Sequence, residues 1–371
     1  MIDLKYPVLE VSRANLKYNI DHFRSKLKPS TKILVLLKAN AYGAGGIEVG
    51  RMMREIGVDY GAVAFVSKGV ELRRSGIDLP MLLLTWSRTS IDDIVKYNLE
   101  PGVTDMRSLI LLRDSLAAAG IRNFPVHIKL DTGMHRVGFM EKDLNEMIEF
   151  FRSDDTMQVK SIYSHLAGAD DQQFDSFTLG QCELFDRLSN RVAEGLGYMP
   201  MRHLLNTAGV ERFAEKYPQY QYDMVRLGIG TYGAVTIPGE DVRPVLSLKT
   251  EVIQVKHLDV ADGTVGYSRK GVITRPSDIA TIPLGYADGV DRRLGNGAIR
   301  FLVNGHRAPT IGNICMDAFM LDVTGLDVKP GDEVTIFGEE PRVEEICNLL
   351  GTIPHEVITR VSQRVNRAVI K

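Results

Sequence analysis

The chain is short of cysteine, has a single tryptophan and carries almost no net charge, and each shortage removes a class of protein. Its three cysteines, Cys182, Cys315 and Cys347, are an odd number with no CxxC spacing. That argues against a disulfide framework and a zinc knuckle, and no metal site is expected. A net charge of −2 gives no reason to expect nucleic acid or an anionic membrane as partner. The opening MIDLKYPVLE lacks the apolar stretch of a signal peptide, and no apolar run approaches a membrane span. These absences predict a soluble, cytoplasmic protein, and 371 residues are enough for one or two domains with a sizeable core.

The most informative stretch is 33–45. Five apolar residues, 33–37, read as a buried strand of a parallel sheet. Lys38 stands directly at its end, where a cation is costly unless paired, solvated or neutralised. A glycine-rich turn follows, then a helix over 47–56. Strand, amine and a loop of backbone N–H groups suit a carbonyl cofactor that carries a phosphate. On this segment alone, a surface lysine capping a strand, with glycines shaping the turn, is the favoured reading, and it is the rest of the chain that overturns it.

Around it the chain alternates strand and helix. Ser12 is an N-cap candidate for a helix whose apolar face is Leu16, Ile20, Phe23 and Leu27. Strands are predicted near 32–37, 61–66, 81–85, 100–104, 126–130, 159–164, 202–206 and 223–227, with amphipathic helices at 106–119 and 174–194. Eight such strands point to an α/β fold with a closed (β/α)8 TIM barrel. Polar residues gather just after the strand ends: Lys38, Asp131-Thr132-Gly133, Ser164-His165, Asn206-Thr207 and Arg226-Leu227-Gly228-Ile229. In a barrel they converge on the C-terminal mouth. From about 240 the helical period gives way to short alternating runs at 248–255, 279–283, 300–303 and 333–337. The reading is therefore a barrel over 11–239 and a β-rich C-terminal domain over 240–371. Their junction is at Pro238-Gly239-Glu240-Asp241, and a strand from 1–10 joins the second domain. A last helix at 343–350 precedes an arginine-rich end.

Lys38-Ala39-Asn40-Ala41-Tyr42-Gly43-x-Gly45 resembles the pyridoxal-phosphate signature of the alanine racemase family. The likeness continues in order through Asp131-Thr132-Gly133-Met134-x-Arg136, Ser164-His165-Leu166-Ala167, Asn206-Thr207-Ala208 and Asp223-Met224-Val225-Arg226-x-Gly228-Ile229. It then runs through Gly266-Tyr267, Gly285-Tyr286-Ala287-Asp288-Gly289 and Gly312-x-x-Cys315-Met316-Asp317. The resemblance implies a homodimer with shared active sites, pyridoxal 5′-phosphate (PLP) as cofactor and racemisation of a small amino acid, supplying D-alanine for peptidoglycan. Lys38 would carry the cofactor and act as one acid/base, and Tyr267 of the neighbouring subunit would be the other. A free phenol titrates near about 10, so cations must lie close for it to act as a base. The resemblance gives Arg226 the pyridine nitrogen, His165 the bracing of Arg226, and Tyr42, Thr207 and the backbone of Gly228 and Ile229 the phosphate. Asn206 would orient that loop. Arg136 would contact the phenolic oxygen or the substrate carboxylate, which Met316 would meet through its N–H. Asp317 would position Arg136 or the partner's groups, and Tyr286 would narrow the entrance. Members of the family can carry a carbamylated lysine where Lys129 stands, and an ordinary ion-paired lysine is the alternative.

The chain also departs from the pattern. Ala44 stands where histidine is common, Thr85-Trp86 where a glycine is usual, and Gln363 where many members have tyrosine. A polar amide at 363 would tolerate a hydroxymethyl side chain, so a serine or broad-specificity racemase is the alternative to an alanine racemase. A single-barrel PLP-homeostasis protein without turnover would not need Tyr267 or Met316-Asp317. A PLP decarboxylase would need a cysteine-containing dimer motif that is not evident here. A cofactor-free barrel hydrolase would need paired catalytic carboxylates at the strand ends, and none are found.

Overall fold

The computed structural model describes residues 7–234, 237 and 239–371; Pro238 of the expected junction and residues 1–6 of the expected first strand lie outside the described residues. The chain opens with β1 (Val8–Ser12) and turns at once into the helix Arg13–Ser25. Ser12 caps that helix, its hydroxyl accepting from the Asn15 amide at 3.2 Å. Leu16, Ile20 and Phe23 form the buried stripe, as their spacing predicts.

Eight parallel strands then close a barrel in sequence order. They are β2 (Lys32–Leu36), β3 (Tyr60–Val63), β4 (Met81–Leu83), β5 (Glu100–Val103), β6 (Phe124–Lys129), β7 (Met157–Tyr163), β8 (Met201–His203) and β9 (Met224–Leu227). β9 pairs with β2 to complete the ring. In β6, Val126 and Ile128 belong to the large apolar core, while His127 and Lys129, on the opposite face, are also buried. This two-residue alternation lets the helix-facing side be uniformly apolar while the barrel interior holds polar groups. Leu34, Tyr60, Ala62, Leu82 and Met224 form a separate small apolar cluster.

Ten further strands follow: β10 (Leu246–Glu251), β11 (Gln254–Leu258), β12 (Thr264–Val265), β13 (Gly271–Val272), β14 (Ser277–Ile282), β15 (Arg300–Val303), β16 (His306–Ile311), β17 (Phe319–Asp322), β18 (Glu333–Phe337) and β19 (Asn366–Ile370). Apart from the β12–β13 ribbon they join β1 in a nine-stranded sheet, in the order β11-β14-β17-β16-β15-β18-β10-β1-β19. The N-terminal strand thus lies between β10, antiparallel, and β19, parallel. The run expected as one strand over 248–255 is two strands, because the chain leaves the β10–β18 ladder at Val252 to pair as β11 with β14. The arginine-rich end is ordered too, as the helix Pro354–Thr359 and β19. Its pairing partner is at the opposite end of the chain, beyond the reach of a local pattern.

Candidate active site

Lys38 follows β2 after a single residue, and the backbone then makes an uncommon turn. Ala39, Asn40, Ala41 and Tyr42 all lie in the left-handed region, with φ between 51° and 56°. Each such residue without a glycine's freedom costs about 1–2 kcal/mol. The turn is held from outside. Arg367 donates to the carbonyl of Gly43 at 3.1 Å, and the Gly46 amide donates to the side chain of Asn40 at 2.8 Å. Gly43, at φ 85°, is where the helix Pro354–Thr359 packs on the loop; a Cβ there would sit 2.5 Å from the carbonyl oxygen of Ile358. The turn leaves the Lys38 amine 5.9 Å from the centre of the Tyr42 ring.

Arg226, on β9, is 4% exposed and makes its hydrogen bonds entirely to neutral acceptors. Nη1 donates to the His203 carbonyl (2.9 Å) and meets His203 Nδ1 (3.1 Å). Nη2 donates to the carbonyls of Leu204 (2.8 Å) and Ser164 and meets His165 Nδ1 (3.3 Å). Burial pushes its guanidinium down to about 10, still protonated at neutral pH. The same burial, with Arg226 and Arg136 nearby, holds His165 well below the ordinary imidazole range. A neutral His165 that accepts at Nδ1 carries its proton on Nε2. His203 lies in a strand-end stretch that stands out in the sequence but is assigned no role there, yet it makes the second imidazole contact to Arg226.

Lys129, at the end of β6, donates to the Val137 carbonyl at 2.7 Å. Burial, then Arg136 and Arg226, lowers its amine to about 8. Lys38 is also lowered, by burial and then by Arg136. Among the described residues none of Lys38, Lys129, Arg136 and Arg226 forms an ion pair with a carboxylate. Asp131 is occupied with the amides of Gly133 and His135, both at 3.0 Å. The mouth is therefore a concentration of positive charge that suits a ligand with several negative groups.

A cradle for one of those groups lies beside the turn. Asn206 caps the helix Thr207–Phe213, accepting from the Gly209 amide at 2.9 Å. Thr207 Oγ1 accepts the Gly228 amide at 2.8 Å, which leaves its own proton free to donate. A Cβ at Gly228 would lie 2.7 Å from the Tyr42 hydroxyl and 3.8 Å from Thr207 Oγ1. The absent side chain thus leaves room where two hydroxyls converge, and Ile229 follows. The donor set and the space fit a phosphate.

Tyr267, Tyr286, Met316 and Asp317 belong to the second half of the chain. Tyr267 is 72% exposed, and Met316 and Tyr286 are also exposed. They share one scaffold: the Tyr286 amide donates to the Cys315 carbonyl (3.0 Å), Ala287 to Met316 (3.0 Å), and the Asn313 side chain to the carbonyl of Tyr267 (2.9 Å). Asp317 pairs with Arg364 at 2.6 Å. Among the described residues no hydrogen bond, ion pair or ring contact joins Tyr267 to Lys38, Arg136 or Arg226.

Two family models match the chain, the alanine racemase N-terminal domain over residues 11–236 and the alanine racemase C-terminal domain over 245–369. The chain belongs to the alanine racemase family. An alanine racemase of Desulforamulus reducens is 37% identical, the match covering 99% of this chain and 100% of that one. Alanine racemase 1 of Clostridium acetobutylicum is 34% identical, over 98% and 95%. Among solved structures, the alanine racemase of Clostridium difficile 630 superposes with a TM-score of 0.91 at 31% identity, covering 99% and 97% of the two chains. The same enzyme has been solved as a cycloserine complex, with a TM-score of 0.84.

Membership also gives meaning to the departures. Ala44 is fully buried, and an imidazole beside this loop comes from elsewhere: His355 packs 5.8 Å from the Tyr42 ring. Trp86 donates its indole N–H to the Gly102 carbonyl at 2.8 Å, linking the ends of β4 and β5. Gln363 is exposed.

Proposed function

We propose that this alanine racemase family member interconverts L-alanine and D-alanine with pyridoxal 5′-phosphate carried on Lys38, and that it works as a homodimer. The observation that carries this reading is the cluster of Lys38, Lys129, Arg136 and Arg226, none in an ion pair with a carboxylate among the described residues, beside the Tyr42–Thr207–Gly228 cradle. Tyr42, Thr207 and the backbone amide of Ile229 would hold the phosphate, with Gly228, whose own amide is on Thr207, leaving the room for it. Arg226 would donate to the ring nitrogen, and Arg136 would face the phenolic oxygen or the substrate carboxylate. When bound, the cofactor delocalises the electron pair left on Cα after its proton departs. Because Arg226 keeps its own proton, it would donate to a ring nitrogen that stays unprotonated, which would make the ring a weaker electron sink and disfavour side reactions.

Lys38 would hold and return the proton on one face of Cα. Its lowered affinity for a proton favours the free amine that this role needs. The opposite face needs a second acid/base, and the exposed phenol of Tyr267 of the partner subunit fills it. Met316 of the partner subunit would offer its N–H to the carboxylate. We read the chain as a barrel over 11–239 and a second domain over 240–371 joined by the N-terminal strand, the division under which Lys38 and Tyr267 sit on different bodies. The test is solvent deuterium uptake at Cα from L-alanine, with L-serine in parallel. Uptake from alanine is expected, its absence from both substrates removes the racemase reading, and faster uptake from serine moves the assignment to that substrate.

A further inference from the structure

Beneath the mouth a line of buried polar groups crosses the barrel interior, and no part of the reaction described above uses it. It begins at Arg226 on β9, whose Nη1 meets His203 Nδ1 on β8 at 3.1 Å. His203 Nε2 lies 2.8 Å from Ser161 Oγ on β7, and Ser161 Oγ lies 2.6 Å from His127 Nδ1 on β6. His127 Nε2 lies 2.8 Å from Glu100 Oε2 on β5, and Glu100 Oε1 accepts from Lys160 at 2.6 Å. Five consecutive strands each supply one inward residue. His203, Ser161 and His127 have no exposure at all, and Glu100 only 5%.

The chemistry at the two ends sets the direction of every bond between them. A guanidinium can only donate, and an ionised carboxylate can only accept. With one proton on each imidazole, His203 accepts from Arg226 and donates from Nε2 to Ser161. Ser161 donates to His127, which donates from Nε2 to Glu100. Burial alone would push the Glu100 carboxyl up, but His127 and Lys160 together hold it below the usual range, so the anion at the far end is secure. Other neighbours of the line are Tyr60, whose hydroxyl meets both Glu100 and Lys160, Arg73, whose charge acts on Glu100, and the ring of Tyr163, stacked 5.0 Å from His203. None of them competes as an acceptor at His203 Nδ1.

We propose that Glu100 is a positioning residue for Arg226, acting through His127, Ser161 and His203 by fixing the tautomer that His203 presents to the guanidinium. If the direction of the line were free, His203 would present Nδ1–H to Arg226 part of the time, two donors would face each other, and the arginine would be turned from the cofactor's ring nitrogen. Only this last link rests on the function proposed above.

Histidine-selective 15N NMR on the wild-type protein without cofactor reads the line directly. Both His127 and His203 are expected to carry their single proton on Nε2; a proton on Nδ1 of either overturns the proposal. Glu100→Gln keeps the shape and removes the charge, so His203, three hydrogen bonds away, is expected to become a mixture of tautomers. In the loaded enzyme kcat is expected to fall by about tenfold or more with KM little changed, by analogy with the tautomer control of a carboxylate–histidine pair. An unmoved His203 signal with unchanged kcat overturns it, even if the melting temperature drops. Should Glu100→Gln not fold, Ser161→Ala cuts the line at its middle and is expected to give the same His203 signature; an unmoved signal there also overturns it. Failure of the racemase reading would instead show as no deuterium uptake by the wild type, with the imidazole signals as expected.

Discussion

Replacing Gly228 by alanine places one carbon where the proposed phosphate cradle is narrowest. The new Cβ would be 2.7 Å from the Tyr42 hydroxyl, closer than a carbon and an oxygen can remain, and 3.8 Å from Thr207 Oγ1, which is ordinary contact. Relief requires Tyr42 to move, and its ring is hemmed in by Tyr232 at 4.8 Å and His355 at 5.8 Å, with only 5% of the residue exposed. Overpacking of this kind costs about 1–3 kcal/mol of stability. A displaced hydroxyl also loses a charge-assisted hydrogen bond to the phosphate, worth about 1.5–3 kcal/mol, which weakens cofactor binding by roughly tenfold to a hundredfold. The assay is titration of pyridoxal 5′-phosphate into cofactor-stripped protein, followed by visible absorbance, beside thermal melts without cofactor. The double variant Gly228→Ala/Tyr42→Phe separates the two effects. Removing the hydroxyl removes the clash, so the melting temperature should recover, while affinity should stay low because phenylalanine cannot donate. Wild-type affinity in Gly228→Ala, or in Tyr42→Phe alone, would refute the placement of the phosphate.

Three further outcomes are expected. Lys38→Ala and Tyr267→Phe should each be inactive as pure proteins, and mixing with subunit exchange should restore activity, since one site of each mixed dimer keeps both native groups; no recovery would place the second acid/base elsewhere. Lys129, with its amine lowered to about 8, has a reactive neutral form near that pH, so 13C-labelled bicarbonate should give a carbamate signal that Lys129→Arg lacks. The neutral fraction falls roughly tenfold for each pH unit well below that value, so the signal should fade on acidification; no signal near pH 8 would leave Lys129 an ordinary lysine. Ser12→Ala removes the cap accepting from Asn15 and should cost about 1 kcal/mol in denaturant unfolding; an unchanged midpoint would show that the cap contributes nothing.

The barrel was legible because its strands carry two signals at once. In 126–129 the residues facing the helices are valine and isoleucine and those facing inward are histidine and lysine, so a strand and an unusual interior can be read together. The strand-end residues Lys38, Arg226 and Thr207 do converge near the mouth, because parallel strands in a barrel end on one rim. The strand at the N-terminus was expected to join the second domain, but most of what depends on partners distant in the chain could not be read. β19 forms beside β1, and nothing local in 366–370 announces it. His203, Ser161 and His127 come from three strands, and each by itself is an unremarkable polar residue in a buried run.

The left-handed turn at 39–42 was illegible for a different reason. Of its four residues only Asn40 tolerates that conformation readily, and Ala39, Ala41 and Tyr42 have right-handed preferences. Local sequence therefore argues against the backbone observed, and the difference is made up by tertiary contacts: the tether from Arg367, the packing of the helix Pro354–Thr359 on Gly43, and the bond from Gly46 to Asn40. Two of these three come from the C-terminal segment, more than three hundred residues along the chain, so the turn is imposed by the second sheet and its flanking helix. Such strain persists where the surrounding structure over-determines it, and it gathers at functional sites. Here it sits immediately after Lys38 and ends at Tyr42, the residues proposed to meet the cofactor's carbonyl carbon and its phosphate. The strain is thus placed between the two residues proposed to hold the cofactor, which gives the C-terminal segment a role in the site through the turn as well as through His355, packed 5.8 Å from the Tyr42 ring.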